Sequence, residues 1–558
     1  MTKPLVFFPV LLLTFGFADA ADVKKTTNQE VLKTWQQSNP QAPKPELVEK
    51  EDGSTQIKWT GSVTPDLYSN SVTSSNVSQN SSLQEGTFHK TLVNSDLKRI
   101  HTDGRTDYFL FTVLETDDPK VLSNTYVQLN NLQIGHVGKN FHVLFGDVIP
   151  QFSTLSSSLS ARGLWLQSGF TELFNLTAYY GTVSESWESL LGQVTRTQYL
   201  RDVYGVKLDR NLFENVNAYL TFQSGEDRKS SLPAAFSADS KLSSYTAGAA
   251  YQKDQLQVSG EWGSSRSTLG TDPEETASGF IIDGRWVKDS VTLFGGHHDI
   301  GSRYYTLSSG AAPGVTESYV GTEWVAKEWL NLGADLRNTN SFSPGVSEAT
   351  SKTKARTVKA ASNLNSANWA LNVQNALSET SVPGASDSSI DQSNVTLNYS
   401  ATTWSAALGY GLGKFDYGAG STNNSETKDV QVSLANKWIK AGEGNVSPWS
   451  CDSTLSYTTQ RQSVVASNDV VNTMYSLGIT TTHTDYGSLS AMASTGKLMQ
   501  ATAGQPDLVT NSLQIEAGRQ FKNASDLKIY YQDNARNLND PNLETKEKVV
   551  GARYAYKF

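Results

Sequence analysis

The run Gly409-Tyr410-Gly411-Leu412-Gly413-Lys414 has glycines close enough together to let backbone N–H groups wrap a phosphate. That chemistry needs a strand before the loop and a helix opening after it. Here the run ends a strand-like stretch and enters a polar connection, so no nucleotide site is expected. His297, His298 and Asp299 place three metal-ligating side chains in a row. Successive strand residues point to opposite faces, which makes adjacent histidines a poor chelating pair. The acidic stretch Asp272-Pro273-Glu274-Glu275 has the oxygen chemistry to hold a divalent cation or to bridge surface lipid through one, and its bland reading is a solvated loop. No nucleophile elbow and no zinc-hydrolase pattern occurs. The sequence therefore nominates no catalytic residue, no metal site and no cofactor.

With no enzymatic constellation to follow, the elements themselves carry the reading. The chain has 558 residues, 18% of them charged, 10% aromatic, with 42 Gly and one Cys. Charge is low for a soluble domain, and aromatics are too frequent for a disordered one. One cysteine excludes an internal disulfide framework. The net charge of −9 argues against nucleic acid as a partner. Residues 1–20 have the build of a secretory signal peptide: Lys3, an apolar run from Leu5 to Phe17, and the small-x-small site Ala18-Asp19-Ala20. In residues 21–54, Pro40, Pro43 and Pro45 stop a short amphipathic turn around Trp35, and a flexible segment is expected.

From Thr55 onward the hydropathic period is two. Ile57, Trp59, Gly61 and Val63 alternate with polar neighbours, as do Tyr204, Val206 and Leu208. In one later stretch Phe280, Ile282 and Trp286 take one face while Asp283 and Arg285 take the other. Such alternation marks strands with a different solvent on each side. The connections alternate as well. Tight turns such as Lys253-Asp254, Lys288-Asp289, Lys327-Glu328, Ala401-Thr402 and Asn365-Ser366-Ala367 take turns with long polar stretches at 226–243, 265–277, 301–317, 341–353 and 495–510. An up-and-down meander gives that rhythm, with every second connection at the same end. Counting it predicts an all-β fold over residues 55–558: one antiparallel barrel of about 26 strands, within roughly 24 to 28.

The last strand narrows this further. Val550, Ala552, Tyr554, Tyr556 and Phe558 form one apolar face ending in a terminal aromatic, with Arg553 and Lys557 on the other. This resembles the C-terminal strand of bacterial outer-membrane β-barrel proteins, and the strand-and-loop rhythm extends the resemblance over nearly the whole mature chain. The resemblance implies a Gram-negative outer-membrane location, contact with membrane lipids, recognition of Tyr554, Tyr556 and Phe558 by the barrel-assembly machinery, and a periplasmic position for residues 21–54, where a partner could dock. Trp59, Trp286, Trp329, Trp369, Trp404 and Tyr556 fit interfacial aromatic girdles.

About 26 strands imply a backbone diameter on the order of 50 Å. A cylinder that wide is filled by its own loops, encloses a partner, or conducts something bulky. The expected lumen lining is Lys207, Asp283, Arg285, Glu323, Lys528, Arg553 and Lys557. The stretch Phe145 to Ser153, followed by Arg162-Gly163, is the candidate constriction: Asp147 and Arg162 flank a hairpin, where they would pair or hold an infolded loop, against the plainer reading of an ordinary extracellular hairpin. The first functional expectation is a passive outer-membrane channel or export conduit. A barrel sheathing a periplasmic or multihaem electron-transfer partner is the alternative, and a barrel hydrolase without a local motif ranks last.

Overall fold

The structure, a computed structural model, describes residues 55–558 apart from 75–80, 82, 123–124, 151, 157–158, 172–173, 195–197, 232–238, 271, 308–311, 344–348, 365–367, 419–420, 440–448, 465–468, 484, 500–506, 522–524 and 538–543. The expectations for 1–20 and 21–54, and for the turn at 365–367, lie outside the described residues. The rest form one antiparallel sheet of 26 strands, numbered β1 to β26 in chain order. Each strand pairs with the next, and β26 (Thr545–Lys557) returns to β1 (Gln56–Ser74). The closing register runs from Ser62↔Lys557 to Ser74↔Thr545. Beyond it, the Gly61 N–H donates to the Phe558 carbonyl at 2.8 Å and the Phe558 N–H to the Gly61 carbonyl at 3.1 Å. Closure removes the two free edges that an open sheet would present, which a hydrocarbon surrounding requires.

Strand parity separates two surfaces. On β19 (Trp404–Asp416), Trp404, Leu408, Tyr410 and Leu412 are exposed on the face that ends in Lys414. Ser405, Ala407, Gly409, Gly411 and Gly413 take the other. The glycine run 409–413 therefore sits inside a strand rather than at its end, and its spacing is the strand's own period of two. The same division holds on β17 (Trp369–Ser381) and β20 (Ser425–Ile439). On these three strands the apolar face starts at a tryptophan and reaches a charge ten residues on: Trp369 to Glu379, Trp404 to Lys414, Trp438 to Lys428. At ~3.4 Å per residue and ~40° of tilt that is a band about 25 Å tall, the height of an outer-membrane apolar belt. No described helix is long and apolar enough to cross a membrane. The strands do the crossing, and the protein is an outer-membrane β-barrel.

Trp59, Trp329, Trp369, Trp404, Trp438 and Tyr556 all lie on the outward surface at the end that carries Phe558. That end also holds the tight turns at 254–255, 289–290, 328–329 and 401–403. Asp254 (φ 47°) and Asp289 (φ 50°) adopt the left-handed conformation that two-residue hairpins demand. The opposite end carries the long connections, among them 228–239, 301–314 and 342–350. One expected long loop is short. The stretch 265–277 is mostly strand, because β11 (Leu256–Leu269) and β12 (Glu275–Lys288) continue their ladder through Arg266↔Thr276, leaving 270–274 as the connection.

Candidate functional site in the lumen

The connection 149–160 joins β5 (Phe141–Val148) to β6 (Ala161–Thr171), and within it Phe152, Leu155 and Leu159 turn inward. At its root, Val148 and Ala161 pack with Phe152, Leu159, Tyr179 and Val203, all buried. The Phe152 ring meets Tyr179 edge-on at 5.4 Å. Further along, Leu155 is fully buried among Ile281 of β12, Ile300 of β13 (Val291–Ile300) and Tyr304. One short segment thus touches a single face from β5 to β13, so that face is the concave one and lines the lumen. Burying Phe152, Leu155 and Leu159 is worth roughly 1.5–3 kcal/mol each before the segment's ordering is charged against it.

Polar contacts fix the segment's height. Lys207, on β8 (Arg201–Phe213), donates to the Phe152 carbonyl at 3.0 Å and lies 5.1 Å from the centre of the Tyr219 ring. Glu261, on β11, accepts from the Ser153 hydroxyl and from the Leu155 N–H at 3.2 Å. Its carboxylate is only 5% exposed, so these donors replace the water it has lost. From the connection 301–314, the Tyr304 hydroxyl donates to the Leu155 carbonyl at 2.9 Å, and burial pushes that hydroxyl's pKa well above the usual tyrosine range. It therefore stays a donor at any physiological pH. Leu307, from the same connection, packs against the root cluster. Two inward glycines make room: a Cβ on Gly205 would press on Phe152, and one on Gly263 would meet the Tyr304 hydroxyl.

Strand parity puts all seven expected lining residues on this inward face, most of them already paired. Glu323 meets Lys359 at 2.7 Å, Lys528 meets Glu516 at 2.8 Å, and Lys557 meets Asp526 at 3.4 Å. Arg553 bridges the closing seam to Asp66 at 2.7 Å, where Tyr530 also donates to Asp66 at 2.8 Å. Asp283 accepts from Tyr319 at 2.6 Å and contacts His298 Nε2 at 2.8 Å. Arg285 is exposed to the lumen. His297 points the other way, to Ser318 at 2.8 Å. Among the described residues no three or more His, Cys, Asp and Glu cluster to hold a metal. The acidic stretch pairs with arginines instead: Glu274 with Arg266 at 3.3 Å and Glu275 with Arg303.

Asp147 and Arg162 pair at 3.4 Å, but on the outward face, in register with exposed Phe145 and Leu164. There Asp147 accepts from the Leu132 N–H at 2.7 Å and the Trp187 indole at 2.9 Å. Trp187 opens the one-turn helix α1 (Trp187–Leu190), whose Glu188 accepts from the Leu129 N–H at 2.7 Å. The pair thus braces the two legs of the inward segment from behind. Ser153 closes the stretch singled out by sequence, whereas Leu155, Tyr219, Glu261 and Tyr304 were not singled out. The available signal was the inward glycines opposite them. At the seam, Tyr554, Tyr556 and Phe558 face outward, and Phe558 packs edge-on against Trp59 at 4.8 Å.

These features define a class: a closed transmembrane barrel with a polar lumen narrowed by an infolded segment. No protein-family model and no characterised protein sequence matches the chain. Solved structures with a similar arrangement include the translocation pore of the P pilus usher PapC, at 10% identity over 90% of this chain and 100% of that one, TM-score 0.34. The siderophore receptor PirA from Pseudomonas aeruginosa aligns at 11% identity over 90% and 80%, TM-score 0.41. OccD3 of the same organism aligns at 11% over 90% and 91%, TM-score 0.27. Likeness this distant bears on no cargo.

Proposed function

We propose that this protein is an outer-membrane channel through which hydrophilic solutes pass passively, with residues 149–160, Tyr304 and Leu307 narrowing the lumen from the β5–β13 side. The observation that carries the reading is the anchoring of the 149–160 segment to the lumen wall by Lys207 and Glu261. A connection that only capped the barrel would need no half-buried cation and buried carboxylate below it. Paired charges around the rest of the wall give a polar but nearly balanced lining, suited to weak ion selectivity set mainly by size.

Conductance in planar bilayers tests this directly. The purified barrel is expected to pass a steady current, and a variant with residues 151–158 replaced by a short Gly-Ser linker a larger one. A folded barrel that stays silent in both forms would sink the channel reading and favour a sheath that needs its partner.

A further inference from the structure

We infer that the outer wall over residues 315–381, at the long-loop end, is a binding site for a phosphorylated, multiply acylated glycolipid of the outer leaflet. Lys352, Lys354 and Arg356 follow one another on the outward face of β16 (Ser351–Leu364), and all three are exposed. The register carries that face from Arg356 to Leu336 on β15 (Leu330–Ser341) and to Leu377 on β17, and from Lys354 to Asn338 and Glu379. With Val320 and Ser318 of β14 (Val315–Lys327), these residues line an open groove of about 600 Å³. Its floor is apolar and one rim is cationic.

Height makes the cations unusual. Leu364 is the partner of Trp369, the girdle residue, so Lys354 stands ten residues above the girdle, level with Glu379. Arg356 sits two residues lower, about 5 Å inside the apolar band. A lipid-facing cation costs stability increasingly with depth. Several outward cations at this end are paired with acids, Lys241 with Glu226 at 2.7 Å, Lys497 with Asp507 at 3.0 Å and Arg266 with Glu274 at 3.3 Å, while Lys414 and Lys428 stand singly rather than in a row of three. Lys352, Lys354 and Arg356 make no ion pair with any described carboxylate, Glu379 opposite Lys354 included. Anions supplied from the leaflet fit that deficit. Phosphates would lie along the three cations, and acyl chains would run down over Leu336, Leu377 and Val320. A basic cluster beside the bilayer gains attraction from each Lys or Arg near an anionic headgroup.

Native mass spectrometry of the full-length barrel, titrated with lipid A or its dephosphorylated form in matched detergent micelles, tests the site. The wild type is expected to retain lipid A in preference to the dephosphorylated form. The K352Q/K354Q/R356Q variant is expected to bind lipid A about a hundredfold more weakly. K352R/K354R should keep the affinity, and K241Q, which removes a cation already paired with Glu226, should not change it. Equal wild-type affinity for the two lipids overturns the proposal even if the triple variant does not fold. Undiminished lipid A binding by a folded triple variant overturns it as well.

Discussion

Glu261 is a carboxylate with almost no water and two donors from the inward segment, so its worth lies in what its removal strands. Replacing it with Ala leaves the Ser153 hydroxyl and the Leu155 N–H without their acceptor. Each stranded buried group costs ~1–3 kcal/mol, and the segment can recover that cost by lifting off the wall. Glu261→Ala is therefore expected to raise hydrogen exchange at the Leu155 amide by about 10- to 100-fold with little effect on the strands. Glu261→Gln, which keeps an acceptor oxygen, should fall between. Unchanged exchange in the Ala variant would mean that apolar packing alone holds the segment. A second residue acts by its absence of a side chain. Gly263→Val would push on the Tyr304 hydroxyl and is expected to loosen the connection 301–314, read as new protease cleavage there, with the barrel intact.

Among the elements, the seam between β1 and β26 is the pair that converts a sheet into a barrel. It is held by its ladder, by Arg553 and Tyr530 on Asp66, and by Phe558 seated over Gly61 beside Trp59. A Cβ on Gly61 would collide with the Phe558 ring and the Asn94 carbonyl, so Gly61→Val is expected to leave the seam poorly closed. Its barrel should lose the heat-resistant gel mobility of the folded form at a temperature lower than wild type. Phe558→Ala should show a milder shift in the same direction. The strands, the tight turns and the terminal aromatic strand were legible in the sequence because each is local: a period of two, two-residue turns, an apolar face of alternate residues. The stretch that folds inward was legible as a candidate, but the wall it docks on was not. Ser153 and Glu261 lie 108 residues apart, and Leu155 and Tyr304 lie 149 apart, so no window of sequence contains either contact. Asp147 and Arg162 were legible as a pair. Their face was not, because it depends on the parity of the strands on which they sit.

At the scale of the whole molecule, everything rests on which surface meets hydrocarbon and which meets water, and two arginines can ask that question. Leu408 on β19 is 50% exposed and sits near the middle of the outward band, between Trp404 and Lys414. Asn394 on β18 (Ser388–Ser400) pairs in register with Gly411 and so faces the lumen. Leu408→Arg places a cation in hydrocarbon and is expected to cost about 2–4 kcal/mol in folding into lipid vesicles, measured by urea titration. Asn394→Arg places the same side chain in water, where a surface change of this kind moves stability by no more than about 0.5 kcal/mol. Its effect belongs to conduction instead: an added positive charge on the lumen wall should shift the reversal potential in a salt gradient toward anion preference. The two variants add the same side chain on adjacent strands, three residues apart in height and on opposite faces. Equal stability penalties would mean that the alternation does not separate lipid from water, and the band, the lumen and the channel would fall together.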